Sequence, residues 1–195
     1  WDEEKGAYID SFTSGRRNVT RHANIFAILF SIADEKKQEK ILKNVLENVE
    51  IPAITTPYFN FFELDVLCRM GKLTEVLDKI RSYWGGMLDL GAVTFWEEYD
   101  PSVPKEEQYD MYGDHFGKSL CHAWAASPIY FLAKYFAGLD LVNKDGVTYI
   151  LKPQMQYFTE LDCTLPVGSK GVVRLVWDGE ILEITPNADG GILEL

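Results

Sequence analysis

The 195-residue chain is short of the residues that usually carry a cofactor or a covalent framework. It has three cysteines, Cys68, Cys121 and Cys163, and three histidines, His22, His115 and His122. None of them falls at Cys-x2-Cys or His-x3-His spacing, which excludes a disulfide framework and a clustered zinc site. The apolar neighbours of the cysteines predict buried free thiols. No glycine-rich phosphate loop and no Gly-x-Ser-x-Gly elbow occurs, so phosphoryl transfer of the P-loop kind and the serine-hydrolase elbow are set aside. We expect no cofactor. No apolar run approaches the ~20 residues that cross a bilayer. Basic residues are scarce: 19 Lys and Arg stand against 30 Asp and Glu, a formal charge of −11. Such a chain repels phosphate backbones and anionic lipid, so neither nucleic acid nor membrane is an expected partner. An initiator methionine and a signal peptide are both missing, and the first residue is Trp1. The expectation is therefore a soluble piece of a longer protein, cytoplasmic or periplasmic alike.

Apolar residues, in contrast, make up 47% of the chain and aromatics 13%, enough to bury a sizeable core. The hydrophobic period divides it near residue 140, into a helical part (1–140) and a β part (141–195). Thr20 is placed to cap a helix with Ile25, Ile28, Leu29 and Ile32 on one side, and Asp34 to cap a second through Ile41, Leu42, Val45 and Leu46. Thr56-Pro57 is a helix start, and the segment 58–70 behind it is apolar nearly all round, so it should be enclosed by neighbours. Thr74 opens a fourth helix, and the spacing predicts a fifth over 119–136, kinked at Pro128. After Gly138 the runs 147–151, 157–165 and 172–177 read as strands, and Asp178-Gly179 predicts a tight type I′ hairpin to 180–185.

Between the fourth and fifth helices, the stretch 91–118 has no regular period, yet holds Trp96, Tyr99, Tyr109, Met111, Tyr112 and Phe116. A loop of that length with that composition reads as functional rather than disordered. Near its start Glu97 and Glu98 are adjacent, flanked by Phe95, Trp96 and Tyr99. In extended chain neighbouring side chains point to opposite faces, so one glutamate can face a pocket while the other does not. Aromatic rings stack on the C–H faces of sugars, and a carboxylate beside them can bond sugar hydroxyls or activate water as a general base. His122, placed by this reading in the first turn of the fifth helix, can donate to a ligand in the space under the loop. Taken one at a time, these residues are better explained as a solvated Glu pair and a satisfied core or capping histidine.

Taken together they match a known pattern. The run from Trp84 through Gly-Gly-Met-Leu-Asp-Leu-Gly-Ala-Val-Thr-Phe to Trp96-Glu97, followed by Ser119-Leu-Cys-His122, resembles the C-terminal part of the bacterial α-L-rhamnosidases. Those enzymes carry a tryptophan, then Gly-Ala-Thr-Thr, an aliphatic residue and Trp-Glu, and later Ser-Leu-x-His. Thr-Pro-Tyr-Phe at 56–59 is similar to their Thr-Pro-Phe helix start. The resemblance implies a mainly α, then β fold: part of an (α/α)6 six-hairpin toroid over 1–140, then a small antiparallel, β-sandwich-like domain over 141–195. It also implies inverting hydrolysis of terminal α-L-rhamnose, with Glu97 as general base, His122 contacting the sugar, and Trp96 and Trp84 as pocket walls. Val93 and Glu98-Tyr99 depart from the family pattern beside the base, which bears on loop packing and substrate preference.

The family's general acid, a glutamate upstream, has no counterpart in this chain. An inverting glycosidase needs two carboxylates roughly 6.5–9.5 Å apart with water between base and sugar. The chain alone is therefore expected to be inactive, with a rhamnose-containing glycoside and the remainder of its own protein as partners. Uncovered inner-helix faces predict self-association. Another six-hairpin glycosidase or lyase, and a non-catalytic carbohydrate-binding module, are the competing readings. A uronate-specific enzyme would want cations near the site, where the loop offers Lys105 and Lys118.

Overall fold

The computed structural model describes residues 1–142, 148–168, 171–187 and 191–193. Helices come first and sheets second, in two compact units, Trp1–Ser127 and Pro128–Leu195. The division falls ahead of residue 140 because the last helical segment belongs with the sheets: Ala133 and Ala137 pack into their core.

In the first unit, α1 (Arg21–Leu29) buries Ile25, Ala27 and Ile28. Thr20 precedes it in extended conformation, but its hydroxyl donates to Asp10 Oδ1 at 2.7 Å instead of capping the helix. The helix also stops before Ile32, which is exposed. Asp34 caps α2 (Glu35–Ile41) as its position predicts, its Oδ1 accepting from Lys37 N–H at 2.9 Å. A π-turn at Leu42–Leu46 carries that run on to bury Val45 and Leu46. Pro57 opens α3 (Pro57–Arg69). A fourth run begins at Leu73, one residue before the predicted Thr74, and comprises α4 (Leu73–Lys79), a π-turn at Ile80–Trp84 and α5 (Gly85–Asp89). At the N-terminus Arg17 grips Asp2 with Nε at 2.5 Å and Nη2 at 2.7 Å, and this guanidinium holds the Asp2 carboxyl well below the usual carboxylate range.

The middle helix packs on α1 at one side and α4 at the other. Its enclosure is incomplete: Tyr58 is exposed, and Phe59, Phe61 and Phe62 are half-buried. Its buried face is also less apolar than its composition suggests, since Asn60, Glu63 and Asp65 lie inside. Glu63 Oε1 accepts from Arg21 Nη1 of α1 at 3.0 Å and from Lys79 Nζ of α4 at 2.5 Å. One carboxylate thus ties three helices together, and the two cations share its charge in a site with little water.

In the second unit α6 (Ser127–Phe131) and a π-turn at Leu132–Phe136 precede six short strands: β1 (Leu139–Leu141), β2 (Tyr149–Leu151), β3 (Leu161–Val167), β4 (Gly171–Trp177), β5 (Leu182–Asn187) and β6 (Gly191–Leu193). They form two sheets, β1-β2-β6 and β3-β4-β5. The second is antiparallel throughout. In the first β1–β2 is antiparallel while β2–β6 is parallel, so the β part is not wholly antiparallel as expected. Alternate residues of β3 and β4 point inward, and Leu165, Val167, Val173 and Leu175 share a core with Tyr149 and Leu151 of the other sheet. Pro166 and Pro186 sit in β3 and β5, the edge strands, where a missing N–H costs no ladder bond. The expected hairpin is present with a different turn. Strand pairing stops at Trp177↔Leu182, leaving a four-residue loop in which Asp178 Oδ1 accepts from Glu180 and Ile181 N–H. Among its residues Gly179 takes the positive φ, 100°, and Asp178 does not, so the turn is not type I′. Val147, read as the start of a strand, lies outside the described residues.

Candidate functional site

The stretch 91–118 is irregular, apart from a 3-10 turn at Lys105–Glu107. It is nevertheless held in place by paired backbone. Glu97 N–H donates to Ser119 O at 2.9 Å, and His122 N–H donates to Phe95 O at 2.8 Å. The Thr94 hydroxyl adds a bond to Leu120 O. The two segments therefore lie side by side as short extended chains. This overturns the predicted helix over 119–136. His122 is extended, with φ −123° and ψ 102°, a 3-10 turn follows at Ala123–Ala125, and the α-helix begins only at Ser127. Pro128 sits in its first turn, where proline fits, rather than kinking a longer helix. Cys121, in the extended segment, is exposed instead of buried; Cys68 is buried and Cys163 half-buried.

The pairing brings Glu97 and His122 together. Glu97 Oε2 lies 3.8 Å from His122 Nδ1 and accepts from Ser119 N–H at 3.2 Å, while Oε1 accepts from the Tyr112 hydroxyl at 2.9 Å. Both side chains are mostly enclosed, Glu97 at 13% exposure and His122 at 25%. His122 Nδ1 is buried without a hydrogen-bond partner among the described residues. Alternation in extended chain sends Glu98 the other way, to accept from Thr55 Oγ1 at 2.8 Å. Tyr99 N–H bonds both Thr55 O and Tyr83 Oη at 3.2 Å, and the Tyr83 hydroxyl itself donates to Thr55 O. Thr55 leads into α3, so the glutamate pair is fastened to the start of the middle helix. Burial pushes the Tyr83 phenol well above its ordinary value.

The two tryptophans are both buried. Trp96 packs with its ring centroid 5.7 Å from that of Tyr109, and the Trp84 indole N–H donates to Ala125 O at 2.9 Å, anchoring the turn behind His122. Lys118 is buried in the same loop, where desolvation lowers its pKa against the pull of Glu98, Asp100, Asp110 and Glu97.

Tyr112 was visible in the sequence only as one loop aromatic among several. Its contact to Glu97 comes from a two-residue turn, in which Met111 and Asp114 exchange backbone bonds at 3.0 and 2.9 Å. Tyr112 and Gly113 occupy the turn with φ of 55° and 82°. The Tyr-Gly dipeptide was the available signal, though tyrosine is an unusual residue for the left-handed region. Around it His115 Nδ1 meets Asp110 Oδ1 at 2.5 Å, and Tyr109 stacks on Phe116.

A cavity of about 560 Å³ is lined by Pro52, Ile54, Thr55, Lys79, Tyr83 and Asp100, and neither Glu97 nor His122 borders it. No group of three or more His, Cys, Asp or Glu able to hold a metal occurs among the described residues. No described helix is long and apolar enough to cross a membrane. Chemically, Glu97 offers a fixed carboxylate that can take a proton from water or a hydroxyl, and His122 an imidazole nitrogen beside it.

A helical unit followed by small sheets is an architecture shared with part of a solved glycoside hydrolase. The solved structure in question is that of a GH78 family rhamnosidase of Bacillus sp. GL1, 27% identical with a TM-score of 0.79. The similarity covers 99% of this chain and 21% of that one, so the chain spans about a fifth of the enzyme's length. The fold is thus rhamnosidase-like. No family model matches the chain, and no curated protein matches it.

Proposed function

We propose that this chain is the base-bearing C-terminal part of an α-L-rhamnosidase, an inverting glycoside hydrolase that removes terminal α-L-rhamnose. The observation that carries the reading is the Glu97–His122 pair: motif residues distant in sequence sit 3.8 Å apart, with both Glu97 oxygens held by donors. The likeness to a rhamnosidase over 99% of the chain supports it.

In this reading Glu97 takes a proton from a water molecule as the water oxygen bonds to the anomeric carbon. The glycosidic bond breaks on the opposite face, and an acid from elsewhere in the protein protonates the departing oxygen. His122 donates to a sugar hydroxyl and fixes the ring against Glu97. Ser119 N–H and Tyr112 set the carboxylate's orientation before the sugar arrives, so little reorganisation is left for the reaction. Trp84 and Trp96 support the site from behind through packing. The upstream portion of the protein, carrying the acid and the other helices, is the partner this scheme requires.

Calorimetric titration of L-rhamnose into the chain and into Glu97→Gln tests the site, and a longer protein carrying it tests the chemistry. Glu97→Gln should still bind rhamnose while the hydrolytic rate of the longer protein falls roughly 10²–10⁴-fold. The chain alone should not hydrolyse an aryl α-L-rhamnoside. Hydrolysis by the chain that survives Glu97→Gln would refute the assignment.

A further inference from the structure

The cavity of about 560 Å³ has no part in the hydrolytic scheme, yet its size is that of a pocket for a small organic molecule. Three pieces of the first unit line it: the chain leading into α3 (Pro52, Ile54), the end of α4 with the turn behind it (Lys79, Tyr83), and the loop after Glu98 (Asp100, Pro101). Ile54 and Tyr83 are buried while the two prolines are exposed, so an apolar floor lies beneath a mouth that solvent reaches. Among the described residues, Lys79 and Asp100 bring the charge to its walls, and they differ in what they already hold. Lys79 Nζ is engaged by Glu63 Oε1 at 2.5 Å. Asp100 meets no basic side chain within ion-pair distance among the described residues. Its Oδ1 accepts from Ser102 N–H at 2.9 Å and from Ser102 Oγ at 2.7 Å, and its Oδ2 accepts from no described donor.

The carboxylate is also fixed in place. Buried Gln108 donates through Nε2 to Asp100 O at 2.6 Å and to Val103 O at 2.8 Å, tying the loop across its base. On the opposite wall the Tyr83 hydroxyl is held by Thr55 O. Groups ordered in advance lose little conformational entropy when a ligand settles among them. A carboxylate with a spare oxygen, set beside apolar walls in a chain of formal charge −11, selects a cation with an apolar body. An ammonium gives such an oxygen a charge-assisted hydrogen bond, a neutral hydroxyl gives it a weaker one, and an anion is repelled.

We propose that this cavity is a binding site for a small organic ammonium, with the charge on Asp100 and the apolar body against Pro52, Ile54 and Pro101. It stands apart from the rhamnosidase reading, since neither Glu97 nor His122 borders it, and the failure of one leaves the other untouched. Three probes share a ring and differ in charge: benzylammonium, benzyl alcohol and benzoate. Each is titrated into the chain at neutral pH and followed by amide NMR shifts. Benzylammonium should shift residues around Ile54, Tyr83 and Asp100 with a Kd of about 1 mM, the strength expected of so small a ligand. Benzyl alcohol should bind about tenfold more weakly, and benzoate more weakly still. Asp100→Asn keeps an oxygen for the Ser102 donors and should bring benzylammonium down to the level of the alcohol. Ala53→Phe, at an exposed wall residue, should fill the cavity and abolish binding of every probe. No binding by any probe, equal affinity for the three, tighter binding of benzoate, or benzylammonium binding that survives both substitutions overturns the proposal.

Discussion

Truncating Glu63 to alanine should unfold the helical unit at markedly lower denaturant. The carboxylate is buried on α3 and is the shared acceptor of Arg21 Nη1 at 3.0 Å and Lys79 Nζ at 2.5 Å. Removing one member of a buried ion cluster costs about 3–5 kcal/mol, because the remaining charges stay buried without compensation. Two details put this case at the lower end. Arg21 keeps the carbonyls of Leu46 at 2.9 Å and Asn48 at 3.4 Å. The Lys79 side chain is 20% exposed, so its ammonium can turn toward water. Burial already lowers the Lys79 pKa, with Glu63 opposing the fall, so the lysine loses that counter-charge in the variant. We expect a loss of about 3 kcal/mol, or roughly 10 °C in Tm for a unit of this size. Glu63→Gln keeps an acceptor oxygen and should fall between. Replacing all three groups at once, Arg21→Met with Glu63→Leu and Lys79→Met, should bring stability back to within about 1 kcal/mol of wild type or above it. Urea unfolding followed by tryptophan fluorescence reads this directly, since Trp84, Trp96 and Trp124 all lie in the helical unit. A Glu63→Ala loss below about 1 kcal/mol at unchanged m-value would refute the argument from burial.

Two further outcomes are expected. A Cβ at Gly117 would stand 2.2 Å from Met111 O, a backbone atom that moves only with its turn. Gly117→Ala should therefore cost about 1–3 kcal/mol and part Tyr112 from Glu97. Lower rhamnose affinity beside the stability loss checks it, and an unchanged affinity would show that Tyr112 does not set the carboxylate. Tyr83 gives a pH dependence. Its buried phenol titrates above the ordinary value of 10.0, so the native state keeps a proton that the unfolded chain releases. The stability this supplies is complete below about pH 10 and is lost as pH rises toward the folded value. Tyr83→Phe should remove that part of the alkaline slope in urea midpoints measured between about pH 9 and pH 11, and identical slopes in the two proteins would count against it.

What could be read from the sequence follows from how local each signal is. The Asp34 cap and the Thr56-Pro57 start depend on backbone chemistry within one turn, and both elements begin as read. The strand read over 157–165 is present but shifted to Leu161–Val167, running through Pro166, and its alternation holds because its partner strand is close in sequence and one face is buried. The segment at 119–126 failed because its conformation is decided elsewhere. Leu120, Ala123 and Ala125 have helix-compatible character, but His122 N–H and Ser119 O find partners at Phe95 and Glu97, and tertiary pairing overrides propensity. Glu63 and Arg21 escaped for a related reason. A charged residue in a sequence reads as surface, and nothing local shows that three charges from separate helices will neutralise one another. Within the site, Glu97 and Glu98 were legible as a candidate pair, and the resemblance singled out Glu97. That Tyr112 and Ser119 N–H hold it depends on a turn and a pairing that form only in the fold.

The position of Glu97 thus depends on the helices as well as on its own loop. Thr55 stands at the entry to α3 and receives the loop twice, through Glu98 and the Tyr99 N–H, and it also accepts from the Tyr83 hydroxyl of the Ile80–Trp84 turn. The same helix is locked to α1 and α4 by Glu63. A long loop gives up much conformational entropy in becoming ordered, and it does so only where fixed groups return that cost. Here the return comes from paired backbone bonds and from aromatic packing around Trp96 and Tyr109. A carboxylate fixed this way has its orientation before any ligand is present, which is the condition for a base to act without rearranging first. The mostly exposed Tyr112 is the one contact to Glu97 supplied from a reverse turn rather than from the paired segments. In the rhamnose site proposed above, adjustment to different ligands would therefore fall on Tyr112, while the Glu97 and His122 backbones stay tied to Ser119 and Phe95.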